Sequence, residues 1–364
     1  MKKGFLYLGF AALMMSGFVS CSNDDEPNGG EVEIPVVSHG AYILNQGAYY
    51  TKVEGSLNLL DYATSTVTTD LFIKANGRSL GDTPQCVVLY GSKIYIGVYG
   101  SKTIEILDRY TYKSIKQISL QDSENGTEPR SMAVKDGKVY ISMYDGYVAR
   151  LDTLSQTIDA SVKVGVNPEN IAILGNNIYV PNSEGMNYKI KYGETASVVS
   201  IEPFQEVTRF DVPLNPNKFF TNGTDLYLLS MGNYKDIDAA VYKINTSDYK
   251  YEEVVKATMA NIKGDELYIL NAPYYSAVDT YTSRKIDLKT GKTTATFDLS
   301  HIDYPSGIGV DPQSGKFFIT SCPMDGAYAS YTTPGHAIEY DSNGTFVKKY
   351  QIGCGTAILF FDVD

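Results

Sequence analysis

A proline and an aromatic residue recur along this chain at a fixed separation. Pro84, Pro129, Pro168 and Pro216 are each followed eleven residues later by a tyrosine: Tyr95, Tyr140, Tyr179 and Tyr227. Tyr268 keeps the interval with Ala257 in the proline slot, and Phe318 follows Pro305 after a two-residue insertion. The text around each aromatic is similar: GSKIYIG, DGKVYIS, GNNIYVP, GTDLYLL, GDELYIL and SGKFFIT. Repeats of this length cannot bury an apolar face singly, so they stack in a row or close in a circle.

Each repeat reads as four strands. A short apolar strand follows the proline, then a Gly/Asn/Asp turn, then the strand carrying the aromatic. A variable loop leads to a third strand that often ends in an acid, as at Asp61, Asp108, Asp152, Asp287 and Asp341. A polar turn and a fourth strand complete the unit. Alternating β-branched and aromatic residues between turn residues are the strand signature, and no long amphipathic helical window competes. Six units start at the positions above. Residues 40–73 supply three strands of a seventh, and residues 356–361 supply the missing one. The expected fold is therefore an all-β, seven-bladed β-propeller, closed by a C-terminal strand that completes the N-terminal blade. Closure removes the exposed edges of an open sheet. The repeated aromatics, Tyr42 included, are expected to pack against the next blade.

Residues 1–20 read as an export signal: Lys2 and Lys3, then an apolar run too short for a typical membrane span. Cys21 after a small residue resembles a bacterial lipobox, whose cysteine is lipidated. Ser22-Asn23-Asp24-Asp25-Glu26 resembles the acidic signal that sends lipoproteins of Bacteroides-type bacteria to the cell surface. Residues 21–36 read as a lipidated flexible tether and residues 37–364 as the propeller. The net charge of −11 argues against nucleic acid, whose phosphates need Lys and Arg. It also argues against a polybasic membrane patch, leaving lipid on Cys21 as the membrane attachment.

In a propeller, the loops between second and third strands share one rim with the links between blades. Here those loops carry Asn45, Tyr49 and Tyr50 in blade one, Tyr99 in blade two, and Tyr144 and Tyr147 in blade three. Blade four adds Met186, Asn187 and Tyr188, blade five Tyr234, blade six Tyr274 and Tyr275, and blade seven Tyr328. Tyrosine combines an apolar ring with a hydroxyl, methionine adapts to irregular shapes, and asparagine both donates and accepts. Such a rim suits a large neutral ligand with an apolar body and amide or hydroxyl fringes.

Signals for catalysis are poor. His39, His301 and His336 are scattered, no Cys or His pair has metal-ligand spacing, and no nucleophile elbow or phosphate loop appears. No catalytic residue and no metal site is expected. Cys86, Cys322 and Cys354 fall near the rim; either Cys322 and Cys354 form a disulfide, leaving an odd thiol, or all are free buried cysteines.

The units from Pro84 and Pro129 resemble YncE-type propeller repeats. With the signal, Cys21 and the Asp24-Asp25-Glu26 stretch, the chain resembles Bacteroidetes surface lipoproteins of the BtuG type. That resemblance implies an outer-membrane lipoprotein facing the cell exterior. Such a protein captures cobalamin and related corrinoids as cargo and passes them to a TonB-dependent transporter of the BtuB kind. It implies binding, not catalysis. Two other readings remain: a propeller that binds a glycan or a protein, and a metal-dependent lyase- or lactonase-like propeller. Sugar platforms favour tryptophan, which this chain lacks.

Overall fold

Seven four-stranded antiparallel sheets make up the structure, a computed structural model that describes residues 37–363 except 50, 275 and 277. The export signal, Cys21, the tether, Tyr50 and Tyr275 lie outside the described residues. Six sheets follow chain order. The remaining sheet joins Ser38–Asn45, Ser56–Asp61 and Thr66–Thr68 to the C-terminal strand Ala357–Val363. Asn45 pairs with Ala357 and Ser38 with Val363, so both ends of the chain close one blade. The innermost strands are Ala357–Val363, Pro84–Tyr90, Pro129–Lys135, Ala172–Leu174, Pro216–Thr221, Met259–Lys263 and Tyr304–Val310. Each touches the next, and the last touches the first, around a central channel.

The repeated aromatics explain this closure. Tyr42, Tyr95, Tyr140, Tyr179, Tyr227, Tyr268 and Phe318 are all buried. Each belongs to an apolar cluster shared between its own blade and the following one. Tyr95 packs with Met132, Val139 and Ile141 of blade three, and Phe318 with Ala41, Ile43 and Leu60 of blade one. A blade alone would leave this face in water; the ring covers all seven. Arg109 of blade two locks the closing strand, donating from Nε to Asp362 Oδ1 at 3.0 Å.

The acids that end the third strands are turn chemistry. Asp61 Oδ1 accepts from the backbone N–H of Thr64 at 2.7 Å, Asp108 Oδ1 from Thr111 at 2.8 Å, and Asp287 Oδ1 from Thr290 at 2.8 Å. Such local bonds replace ladder bonds where the chain reverses. They hold these carboxyls below the usual carboxylate range.

The link from blade one to blade two carries a helix, Leu71–Asn76, that buries Leu71 and Phe72 in their seam. Among the described residues no helix is long and apolar enough to cross a membrane.

Candidate functional site at one mouth of the channel

The repeat ties the variable loops to the blade links by one recurring backbone bond. The first residue after the second strand donates its N–H to the carbonyl just before the repeat proline. Tyr99 reaches Thr83 at 2.9 Å, Tyr144 reaches Glu128 at 2.7 Å, Ser183 reaches Asn167 at 3.1 Å and Met231 reaches Asn215 at 2.9 Å. Loops and links thus share one rim. Thr83, Asn167 and Asn215 take positive φ at 55°, 48° and 61°, a region that Asn tolerates better than most residues.

Tyrosines from successive blades meet along this rim in two arcs. In the first, the Tyr49 and Tyr99 rings lie 6.1 Å apart, and Tyr99 stands edge-on to Tyr144 at 6.4 Å. In the second, Tyr192 meets Tyr234 at 5.9 Å, and Tyr234 meets Tyr274 at 5.9 Å. Tyr274 is coupled electrostatically to Tyr304 and Tyr331 beyond it. Tilted and edge-on pairs at these separations attract, which steadies rings that remain partly open to solvent.

An ion pair lies between the arcs. Arg130 Nε donates to Glu169 Oε2 at 2.6 Å, and its guanidinium lies 5.0 Å from the centre of the Tyr144 ring. Ser183 Oγ donates to Glu169 Oε1 at 3.2 Å. Burial, then the Glu169 charge, pushes the Tyr144 hydroxyl up to about 12, so it remains a hydrogen-bond donor at neutral pH. Burial also raises Tyr234, whose hydroxyl lies beside the Asn215 amide and in the field of Glu169 and Arg130. Two amide atoms buried at strand ends beneath the rim have no partner, Asn45 Nδ2 and Asn182 Oδ1. The mouth therefore offers aromatic faces and neutral hydroxyls.

The expected rim residues divide. Tyr49, Tyr99, Tyr144, Tyr234 and Tyr274 come together in the arcs. Met186, Asn187 and Tyr188 stand exposed on the blade-four loop, and Tyr188 is coupled to Tyr192. Tyr328 is exposed on the short hairpin of Met324–Asp325 and Tyr328–Ala329. Two expectations are corrected. Asn45 is fully buried; it ends a strand and turns inward, where Asn58 Nδ2 and the Gly353 N–H donate to its Oδ1. Tyr147 begins a third strand and packs on the apolar seam of blades two and three. Among the described residues, Cys86, Cys322 and Cys354 are free. Cys322 ends the second strand of blade seven and Cys354 the fourth, with Pro334–Tyr340 between them. Two strand spacings are about 9.6 Å, beyond the roughly 7 Å that a disulfide spans.

Arg130, Glu169 and Lys218 were not among the expected site residues. Each follows a repeat proline by one or two positions. A charge at the start of an otherwise apolar inner strand is the signal that would have found them.

Elsewhere, a cavity of about 500 Å³ lies among the outer turns of blade five, lined by Thr224, Lys243, Asn245 and Asp248. It opens at the turns opposite the tyrosine rim, and its lysines are paired with surface carboxylates. Among the described residues no three His, Cys, Asp or Glu side chains gather as a metal-binding group.

A ring of seven four-stranded blades around a central channel defines a β-propeller. The chain matches the family described as Domain of unknown function (DUF5074) over residues 39–357, and it belongs to that family. Curated protein sequences give no match. Solved structures share the fold. A candidate 6-phosphogluconolactonase from Bacteroides uniformis is 12% identical with a TM-score of 0.62, covering 89% of this chain and 99% of its own. A hypothetical selenium-binding protein from Sulfolobus tokodaii is 10% identical with a TM-score of 0.66, covering 90% of this chain and 94% of its own. Hydrazine synthase from Kuenenia stuttgartiensis is 16% identical with a TM-score of 0.58, covering 75% of this chain and 87% of its own.

Proposed function

We propose that this protein is a lipid-anchored surface protein of the outer membrane that captures a corrinoid such as cobalamin at the tyrosine mouth. It hands the cargo to a TonB-dependent transporter of the BtuB kind. The observation that carries the reading is the pair of tyrosine arcs on either side of the channel. A corrinoid is a broad macrocycle fringed with amides. Its faces suit rings that stand edge-on to one another, and its amides suit neutral tyrosine hydroxyls. The mouth works by binding alone and performs no covalent step. Anchoring through Cys21 would keep it beside the transporter that receives the cargo.

Calorimetry of residues 37–364 with cyanocobalamin tests this. Saturable heat at one ligand per chain, with comigration on gel filtration, is the expected result. No heat and no comigration would overturn the reading. A protein with Tyr99 and Tyr234 both changed to alanine should lose most of the heat while keeping its melting temperature nearly unchanged.

A further inference from the structure

Several cations set into the blades of the described structure have carboxylate partners. Arg130 pairs with Glu169, Arg109 with Asp362, Lys285 with Glu266 and Lys316 with Glu339. Lys218 pairs with no carboxylate among the described residues. It sits on the inner strand Pro216–Thr221 of blade five, at the irregularity that follows the repeat proline. Asn170 of blade four bridges to it in parallel, and its Nζ donates to the Ala260 carbonyl of blade six at 3.0 Å. The Phe220 ring lies 5.9 Å from that Nζ. The ammonium thus lies half-buried at the inner edge of the seam between blades five and six.

An ammonium has three protons to donate, and here one is accounted for. Leaving a charge in such a place without a counter-charge is costly. The nearest ion pair along the channel wall, Arg130 with Glu169, is already neutral as a unit. Lys218 belongs to the same strand that Asn215 introduces, and Asn215 lies beside rim Tyr234. The inner strand that starts at this part of the rim therefore carries a positive charge with no carboxylate partner.

We propose that Lys218 is the counter-charge for a single anionic group, phosphate or carboxylate, carried by the ligand of the tyrosine mouth. This rests on the reading that the mouth binds a ligand, and it adds a specificity element. The body of the ligand rests on the tyrosines, and its one anionic group reaches into the channel. A ligand with a second anionic group would meet the Glu169 side of the ion pair and be disfavoured. Lys218→Met and Lys218→Gln separate charge from size, and both should fold, because each removes a buried charge.

The first arm compares cyanocobalamin, which carries a phosphodiester, with cobinamide, which has the same ring and no phosphate. Both variants should lose about 30-fold or more in affinity for cyanocobalamin and less than about twofold for cobinamide. The second arm needs no corrinoid. The lysine Cε–Hε NMR signals are followed while sodium phosphate or sodium acetate replaces chloride at constant ionic strength. One signal, absent in Lys218→Met, should move with phosphate, with acetate, or with both; which anion moves it names the source. If corrinoids fail to bind while this signal still moves, the capture reading falls and the anion site stands. If neither anion moves it and both variants keep full cyanocobalamin affinity, the proposal is overturned.

Discussion

Lys218→Met should stabilise the ligand-free protein at neutral pH. Burial lowers the Lys218 ammonium from 10.5 to about 8 in the folded state. Each tenfold in proton affinity corresponds to about 1.4 kcal/mol, so the charged folded state carries a penalty of about 3 kcal/mol. Water in the channel screens part of this, leaving about 1–3 kcal/mol to be recovered by the variant. Below pH 8 the lysine is charged in both folded and unfolded chains, and the penalty is present in full. Between about pH 8 and 10.5 the unfolded chain holds the proton that the folded chain has released. Wild-type stability therefore rises with pH through that window, and the variant lacks this rise. Above it the lysine is neutral in both states and the two proteins converge. For a domain of this size, the expected difference in melting temperature near pH 7 is about 2–4 °C. Urea unfolding and thermal melts at half-unit steps from pH 6 to 11 read it directly. Parallel wild-type and variant curves across the whole range would show that Lys218 is solvated like a surface lysine, and the reasoning would be refuted.

Other expectations follow from the seams and the mouth. Tyr95→Ala and Tyr268→Ala each empty a fully buried aromatic site between two blades; a loss of about 3–5 kcal/mol in urea unfolding is expected, whereas Tyr188→Ala on the exposed loop should change stability by less than about 0.5 kcal/mol. A Cβ on Gly185 would lie 2.6 Å from the Tyr144 hydroxyl. Gly185→Ala should therefore displace that hydroxyl and weaken cyanocobalamin binding severalfold in calorimetry, with the melting temperature held. Ending the chain at Gly355 removes the inner strand of blade one, and its absence should turn a cooperative melt into a broad one at lower temperature. Alkylation followed by mass spectrometry should label Cys354 in the native protein, and Cys86 and Cys322 only after unfolding, because the last two are buried and Cys354 is half-exposed.

The repeat was legible because every seam makes the same demand. An aromatic at one place in the second strand must fill the gap to the next blade, and a proline at one place must start the inner strand. The same requirement repeats from Tyr42 to Phe318, so it is printed in the sequence at a fixed interval. The split blade was legible for the same reason: residues 356–361 read as an inner strand with no blade of its own. The rim was legible as a set of loops, but its membership was not. Asn45 and Tyr147 sit at strand ends, where a single residue of register decides whether a side chain turns to the mouth or to a seam. Cys322 and Cys354 fall on one rim, yet an intervening strand keeps them apart.

The chain by itself determined the number of blades, their closure and the end of the ring on which variable side chains gather. These depend on period and on local strand and turn chemistry, which neighbouring residues carry. Only the tertiary structure decided which tyrosines meet, that Arg130 and Glu169 neutralise one another, and that Lys218 has no such partner. Those relations join residues from different blades, brought within reach only when seven sheets close around one axis. No spacing along the sequence encodes the distance across that channel.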